Sequence, residues 1–337
     1  MENMAIILAS GAGTRMMSDI PKPLHRVCGM TMAEHTLRAL GTLAPVKLMT
    51  VAHQREAIER ELNGQVEFVF QDKNLGWGTG HAVMCCLDHL RGKSGRVIVT
   101  SCDKPLVFGE TYARLIDEVS RGASCAMLTG ISENPFSHNR IIREGGSVIM
   151  SKRPSKLCAN EIMIKETDAS VYCFDIETLV SALSRLELDN GEYHLSDVVG
   201  IIRESGGYIV AIPALEKCEC MGVNDRIQLS QAEREMRRII NNRHMRHGVT
   251  IIDPESTYIE KGVKIGRDSV LYPGCVIGRG TVIGAGCTII ASHIDASHIG
   301  AGCTVIHSVL FGADIPQASK IGPFFSKARD CGAKACT

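Results

Sequence analysis

The chain has 337 residues, with 37 Lys plus Arg against 37 Asp plus Glu and a formal charge of zero, which excludes an overall basic surface for nucleic acid and a polybasic membrane anchor. Apolar residues make up 45% and charged residues 22%, enough for a large core and too apolar for a disordered chain, and the length predicts about two domains. Glycine is frequent, at 33 residues, while aromatics are only 4%, a balance that suits nucleotide-binding loops or a repeat solenoid.

Residues 4–8 are an apolar run the length of one buried strand. A spanning helix needs ~20 apolar residues and no basic stretch precedes this one, so neither a signal peptide nor a membrane segment is expected. The close cysteine pairs Cys85-Cys86, Cys218/Cys220 and Cys331/Cys336 lack a second pair at zinc-site spacing. The cysteines are therefore expected to be reduced thiols of a cytoplasmic protein.

The first strand runs into Leu8-Ala9-Ser10-Gly11-Ala12-Gly13-Thr14-Arg15-Met16, with Lys22 following in Ser18-Asp19-Ile20-Pro21-Lys22-Pro23-Leu24. The third glycine of a dinucleotide fingerprint is absent, and the spacing is not that of a P-loop. The loop offers a strand end, backbone N–H groups that can approach phosphate, the fork of Arg15 and the point charge of Lys22. That combination suits a polyphosphate.

Helix-like segments at 32–43 and 54–62 alternate with strand-like segments at 47–51, 66–70 and 96–100, the last followed by Ser101-Cys102-Asp103. Such alternation predicts a mostly parallel sheet with helices on both faces. Ligands bind outside the carboxyl ends of such strands, where the glycine loop and Asp103 both fall. Residues 225–244 read as one connecting helix, with Ile227, Ala232, Met236, Ile239 and Ile240 as a partial apolar stripe among arginines.

After Gly248 the pattern changes. Ile259, Ile265, Leu271, Ile277, Ile283 and Ile289 recur every six residues, a hexapeptide repeat in which the branched residue stacks inward in a three-sided parallel coil. The register slips near Ile294 and resumes with Ile299 and Val305. Residues 256–324 then give about four coils of ~18 residues.

The motifs L-A-x-G-x-G-T-R-M and S-D-x-P-K-x-L resemble the sugar-phosphate nucleotidyltransferases. Gln71 with Gly78-Thr79-Gly80-His81-Ala82, Gly191-Glu192-Tyr193-His194-Leu195-Ser196-Asp197 and Gly222-Val223-Asn224-Asp225-Arg226 are similar to the bifunctional N-acetylglucosamine-1-phosphate uridylyltransferase/glucosamine-1-phosphate acetyltransferase family. The resemblance implies an α/β, Rossmann-like nucleotidyltransferase domain over 1–225, a connecting helix over 226–248 and a short left-handed β-helix over 249–326, while residues 327–337 lose the repeat pattern and are expected to form a loose tail. It implies the reaction of UTP with N-acetylglucosamine 1-phosphate, Mg²⁺ as cofactor and a homotrimer formed through the coil. No nucleic acid or membrane partner is expected.

By the same resemblance, Leu8, Ala9, Gly11 and Gly13 lie against the nucleotide, and Arg15 and Lys22 neutralise its phosphates. Gln71, Gly78 and Thr79 read the base. Asp103 and Asn224 hold the metal. Asn139, Asp168 and Asn224 face the sugar.

The sequence departs from the family in several places. Gln71 lies seven residues before Gly78 where the family has five, as if Gly76-Trp77 were inserted, and Trp77 is expected to stack in or cap the pocket. Asn139 stands where the family has Gly, Asp168 where it has Asn, and no acid occupies 148–153. Another sugar or base, or nucleotide binding without turnover, is therefore an alternative. Lys152 and Arg153 read as an exposed basic pair. The family's acetyl-transfer residues have no counterpart after Gly322-Pro323-Phe324, and His293, His298 and His307 read as isolated surface histidines.

Overall fold

The computed structural model describes residues 2–72 and 74–328. The chain forms two compact units, one of residues up to His25 with Thr31–Leu229, the other of Arg26–Met30 with the chain from Ser230 onward. Along the chain the strands are β1 (Glu2–Leu8), the small hairpin of β2 (Arg26–Val27) and β3 (Met30–Thr31), β4 (Val46–Val51), β5 (Glu67–Phe70) and β6 (Gly95–Ser101). They continue with β7 (Cys125–Ile131), β8 (Arg140–Glu144), β9 (Ser147–Lys152), β10 (Glu166–Asp175) and β11 (Ile209–Pro213). The helices are α1 (Met32–Leu40), α2 (Arg55–Leu62), α3 (Gly78–Met84), α4 (Leu87–Leu90), α5 (Gly109–Ser120), α6 (Ile176–Leu183), α7 (Asp197–Glu204) and α8 (Arg226–Arg246).

The first unit is an α/β sandwich on a sheet ordered β11-β7-β10-β6-β1-β4-β5, with the β8–β9 hairpin attached to β10. β1 lies parallel to both β4 and β6, whereas β10 is antiparallel to β6 and β7. Side chains alternate across the sheet. Met4 and Ile6 join the core beneath α3, α6 and α7, while Ala5 and Ile7 join the core beneath α1, α2 and α5. Burial on both faces explains why β1 reads as an unbroken apolar run. Chain order reverses at β1, with β4 on one side and β6 on the other, so the crevice at its carboxyl end is the topological switch point.

Local chemistry sets the ends of these elements. At α1 the Thr31 hydroxyl accepts from Glu34 N at 3.1 Å, and the Glu34 carboxylate accepts from Thr31 N at 2.7 Å, a reciprocal cap that satisfies two free N–H groups. α1 stops at Leu40, short of the 43 expected, because the N–H of Gly41 closes the last turn on Leu37 O.

α8 begins in the first unit, where Ile227 is exposed, and its length in the second unit buries Ala232, Met236 and Ile240. The sequence also gave no sign that Asn241 is buried. Its amide donates to Pro254 O and Thr257 O, both at 3.0 Å, tying the helix to the start of the coil. The segment 26–30 belongs here too: Cys28 N donates to the Glu233 carboxylate at 2.6 Å and Arg279 donates to Gly29 O at 2.9 Å.

The coil is a left-handed parallel β-helix of three sheets. It begins with Thr250–Ile251, earlier than the hexapeptide pattern announces, and its described strands end with Ser326–Ala328. Lys327 and Ala328 pair with Leu310 and Phe311, so that part of the expected loose tail is a strand, and residues 329–337 lie outside the described residues. Leu271, Ile277, Ile289, Ile294 and Ile299 are fully buried in the coil. The slip at Ile294 has a physical basis. Val270 pairs with Thr288, eighteen residues on, but Thr288 pairs with Thr304, sixteen on. Two sides of each later coil lose a residue, and Ala291, Ala296 and His307 take left-handed backbone at φ 40°, 46° and 43° to turn the tighter corners.

Candidate active site

Four strand ends converge. Ala9 N donates to Thr50 O at 3.0 Å, Cys102 N to Leu8 O at 3.1 Å and Gln71 N to Val51 O at 2.8 Å, which pins the segments after β1, β5 and β6 side by side. A cavity of about 420 Å³ is lined by Leu8, Ala9, Gly11, Arg15, Lys22, Gln71, Trp77, Gly78, Thr79 and Asp103, among others. A second, of about 440 Å³, shares Leu8, Arg15, Thr79, Ser101, Asp103 and His194 with it and continues over Lys104, His138, Asn139, Arg153, Ser170, Tyr172 and Asn224.

The glycine loop is shaped by its lysine. Gly13 has φ 64°, and a Cβ there would lie 2.8 Å from Lys22 Cβ, so glycine is required both for the conformation and for the approach. Gly11 is different: a Cβ there would meet nothing within 4 Å, so the surface above it is open for a ligand. Pro21 and Pro23 flank Lys22, whose ammonium donates to Asp103 Oδ2 at 2.6 Å and Asn224 Oδ1 at 2.9 Å. Arg15 donates to the same Asn224 oxygen at 3.1 Å. Asn224 is held by the backbone, since Val223 N donates to Asp103 O at 2.9 Å. Burial pushes the Asp103 carboxyl up, but the charges of Lys22 and Lys104 outweigh it and hold the group below the usual carboxylate value, so it is ionised at neutral pH.

Asp103 and Asn224 therefore turn one oxygen each toward a single point that a cation already occupies in the form of the Lys22 ammonium. Hard oxygens converging in this way fit a divalent metal that keeps most of its water. Among the described residues there is no cluster of three or more His, Cys, Asp or Glu that could hold a metal by itself.

On the side expected to read the base, Gln71 is 1% exposed, with its amide nitrogen donating to Gly78 O at 3.1 Å and lying 3.2 Å from His81 Nδ1. Gly78 has φ 94°, and a Cβ would lie 2.4 Å from Tyr193 O, while Thr79 Oγ1 accepts from Leu195 N at 3.0 Å. The G-T-G turn is thus packed on the segment 193–195. Gly76 of the two-residue insertion fits against the His81 ring. Trp77 lines the cavity and meets His53 edge-on at 5.9 Å.

The side expected to face the sugar differs from the sequence expectation in two places. Asp168 does not line the cavity. It is 4% exposed and lies behind Ser170 and Tyr172, accepting from Ser151 Oγ at 2.6 Å, Tyr172 OH at 2.5 Å and Ser170 N at 2.6 Å. Nor are Lys152 and Arg153 an exposed basic pair. Lys152 pairs with Glu161 at 2.7 Å, and Arg153, its side chain 10% exposed, pairs with Asp189 and Asp197. Asn139 does line the cavity. Sequence reasoning missed Lys104, Tyr172 and Gln228 as wall residues, and the position of Lys104 next to Asp103 was the one available signal.

Comparison with known proteins bears directly on this cleft. Residues 5–196 match the MobA-like NTP transferase domain, and residues 256–291 match the bacterial transferase hexapeptide (six repeats). The bifunctional protein GlmU of Clostridium botulinum (strain 657 / Type Ba4) is 40% identical over 331 residues, covering 96% of this chain and 72% of that protein. GlmU of Pediococcus pentosaceus is 41% identical over 330 residues, covering 96% and 70%. The chain belongs to the GlmU family. A solved Bacillus anthracis structure assigned as a glucose-1-phosphate thymidylyltransferase, with sucrose bound, superposes at TM-score 0.55 and 16% identity, covering 68% of this chain and 94% of that one; it shows a shared fold. As in GlmU, an NTP transferase domain here precedes a hexapeptide coil, and the chain is a sugar-1-phosphate nucleotidyltransferase.

Three other expectations concern the periphery. The described cysteines are free thiols, most of them buried, and Cys331 and Cys336 lie outside the described residues. His293, His298 and His307 each have a local partner, respectively the Phe311 ring at 5.2 Å, Asp314 at 3.2 Å and the Phe324 ring at 6.1 Å. Among the described residues no helix is long and apolar enough to cross a membrane.

Proposed function

We propose that this protein joins UTP and N-acetylglucosamine 1-phosphate to give UDP-N-acetylglucosamine and pyrophosphate. The observation that carries the reading is the convergence of Lys22, Arg15, Asp103 and Asn224 where the nucleotide cavity opens into the sugar cavity. An oxygen of the sugar 1-phosphate forms a bond to the α-phosphorus, and the bond from that phosphorus to the β-phosphate oxygen breaks. The nucleophile is already an anion, so no base is required. The barrier lies in bringing two anions together, and fixed cations at the junction lower it.

In this reading Gly11 and Gly13 present backbone to the phosphates, and Arg15 and Lys22 neutralise them. The Gln71 amide nitrogen is already engaged, so uracil readout falls to its carbonyl oxygen, which suits the N3–H of uracil. Asp103 and Asn224 hold Mg²⁺, which supplies further neutralisation of the triphosphate when bound. Asn139 and Asn224 meet the sugar, and Asp168 acts from behind by fixing Tyr172 and Ser170. The coil serves as the contact surface of a homotrimer, supported by the hexapeptide match, and light scattering should give three times 36.5 kDa.

The test is pyrophosphate release from each nucleoside triphosphate with a panel of sugar 1-phosphates, with and without chelator. UTP with N-acetylglucosamine 1-phosphate is expected to be fastest, with loss on chelation and return with Mg²⁺; no release from that pair overturns the reading. A second reading, the same reaction on another sugar 1-phosphate, is favoured by one observation: Arg153 lines the sugar cavity in a stretch where the family carries an acid.

A further inference from the structure

Two lysines flank Asp103, one on each side of the junction. Lys22 lines the nucleotide cavity and is absent from the wall of the sugar cavity, whereas Lys104 lines the sugar cavity alone. We propose that Lys104 receives the phosphate of the incoming sugar 1-phosphate, as the counterpart of Lys22 on the acceptor side. This rests on the reading of the cleft as a nucleotidyl-transfer site.

Lys104 is 8% exposed. Among the described residues its ammonium donates one hydrogen bond, to Cys220 O at 2.9 Å, and forms no ion pair. A buried ammonium with one neutral acceptor is costly to keep unless a charge is expected to meet it. The acceptor is itself fixed. Glu219, fully buried, takes hydrogen bonds from Phe108 N at 3.0 Å, Thr111 Oγ1 at 2.5 Å and Leu215 N at 2.7 Å, which locks the turn that carries the Cys220 carbonyl.

Gly222 keeps the space beside the ammonium clear. A Cβ there would lie 3.4 Å from Lys104 Nζ and 3.6 Å from Asn224 Nδ2, so no side chain separates the third cation from the Asn224 corner. The charge of Lys104 reaches both walls. Against burial, which pushes the Asp103 carboxyl up, Lys104 joins Lys22 in holding it down, and alongside burial it helps hold the His138 imidazole down. Of the acids that feel the Lys104 charge, Asp103 lines the cavity, whereas Asp168 lies behind Tyr172 and is taken up by Ser151, Tyr172 and Ser170, so Arg15, Lys22 and Lys104 face the cavity with Asp103 between them, an arrangement matched to a phosphate monoester dianion arriving next to a triphosphate.

The experiment is steady-state kinetics of Lys104→Met, nearly isosteric, beside Lys104→Arg. In Lys104→Met the KM for the sugar 1-phosphate is expected to rise at least tenfold while the KM for UTP stays within twofold. Inhibition by inorganic phosphate competing with the sugar 1-phosphate should weaken in parallel, and Lys104→Arg should recover most of the loss. An unchanged KM for the sugar 1-phosphate, or equal losses for both substrates, overturns the proposal. Should Lys104→Met fail to fold, Lys104→Gln carries the same comparison. If the wild type turns over no sugar 1-phosphate, the reading of function fails by itself. Calorimetric binding of the sugar 1-phosphate to wild type and variant then still decides the role of Lys104: weaker binding by the variant upholds it, and equal binding ends it.

Discussion

Lys22 and Asp103 stand 81 residues apart in the chain and 2.6 Å apart in space. Each neutralises the other at a place where two anionic substrates are to be brought together. The lysine caps the carboxylate; under the proposed function a triphosphate would offer the ammonium a stronger partner and release Asp103 and Asn224 to a hard cation.

Lys22→Ala and Asp103→Ala should each reduce kcat/KM by at least about 10²–10³-fold, the scale for loss of one preorganised charged group at a reacting centre. Pyrophosphate release under saturating UTP is the measurement, and turnover of either variant within tenfold of wild type contradicts the assigned role.

Gly11→Ala and Gly13→Ala separate ligand approach from backbone strain. At Gly13 the left-handed φ and the 2.8 Å approach of Lys22 Cβ predict a loss of stability of about 1 kcal/mol or more together with a displaced lysine. At Gly11 nothing lies within 4 Å, so the melting temperature should stay unchanged while UTP affinity falls. Thermal unfolding paired with calorimetric UTP titration checks both.

His81 predicts a pH dependence. Burial holds its imidazole below the ordinary 6.5, with Asp72 pulling weakly the other way, and its Nδ1 faces the Gln71 amide at 3.2 Å. A depressed folded-state value means the unfolded chain binds the proton more readily in this window. The contribution of His81 is therefore complete above pH 6.5 and is lost as pH falls through the folded-state value. Protonation also places an N–H against the Gln71 amide nitrogen, so UTP affinity should fall over the same range. Denaturant unfolding and UTP binding at pH 7.5 and 5.5 should show a larger acid loss in wild type than in His81→Asn.

The sequence made the glycine loop, Lys22, Asp103 and Asn224 legible because each sits in a local motif whose backbone job is written in neighbouring residues. The strands of the first unit were legible as apolar runs because the sheet is covered on both faces. Asp168 was legible as a position and illegible in depth. Its alignment with a sugar-facing residue says nothing of the three donors that hold it behind Tyr172. Arg153 was likewise illegible, since Asp189 and Asp197, which bury it, come from distant segments. Lys104 reaches the cavity because a turn more than a hundred residues later supplies its acceptor, a relation that no short motif records.

The coil offers a contrast between inside and outside. Ile289→Ala removes a fully buried side chain and should cost about 2–5 kcal/mol, whereas Val282→Ala, at a position 37% exposed, should cost well under half of that. Denaturant unfolding followed by far-ultraviolet circular dichroism checks the difference.

The change from eighteen to sixteen residues per coil restricts how this part of the gene can alter in length. A side can shed one residue where its corner takes the left-handed backbone seen at Ala291 and Ala296, because Ile294 and Ile299 beyond those corners stay fully buried. Single-residue losses are accordingly expected at the corners rather than within the strands, with residues such as Ala291 and Ala296 marking where a side was trimmed.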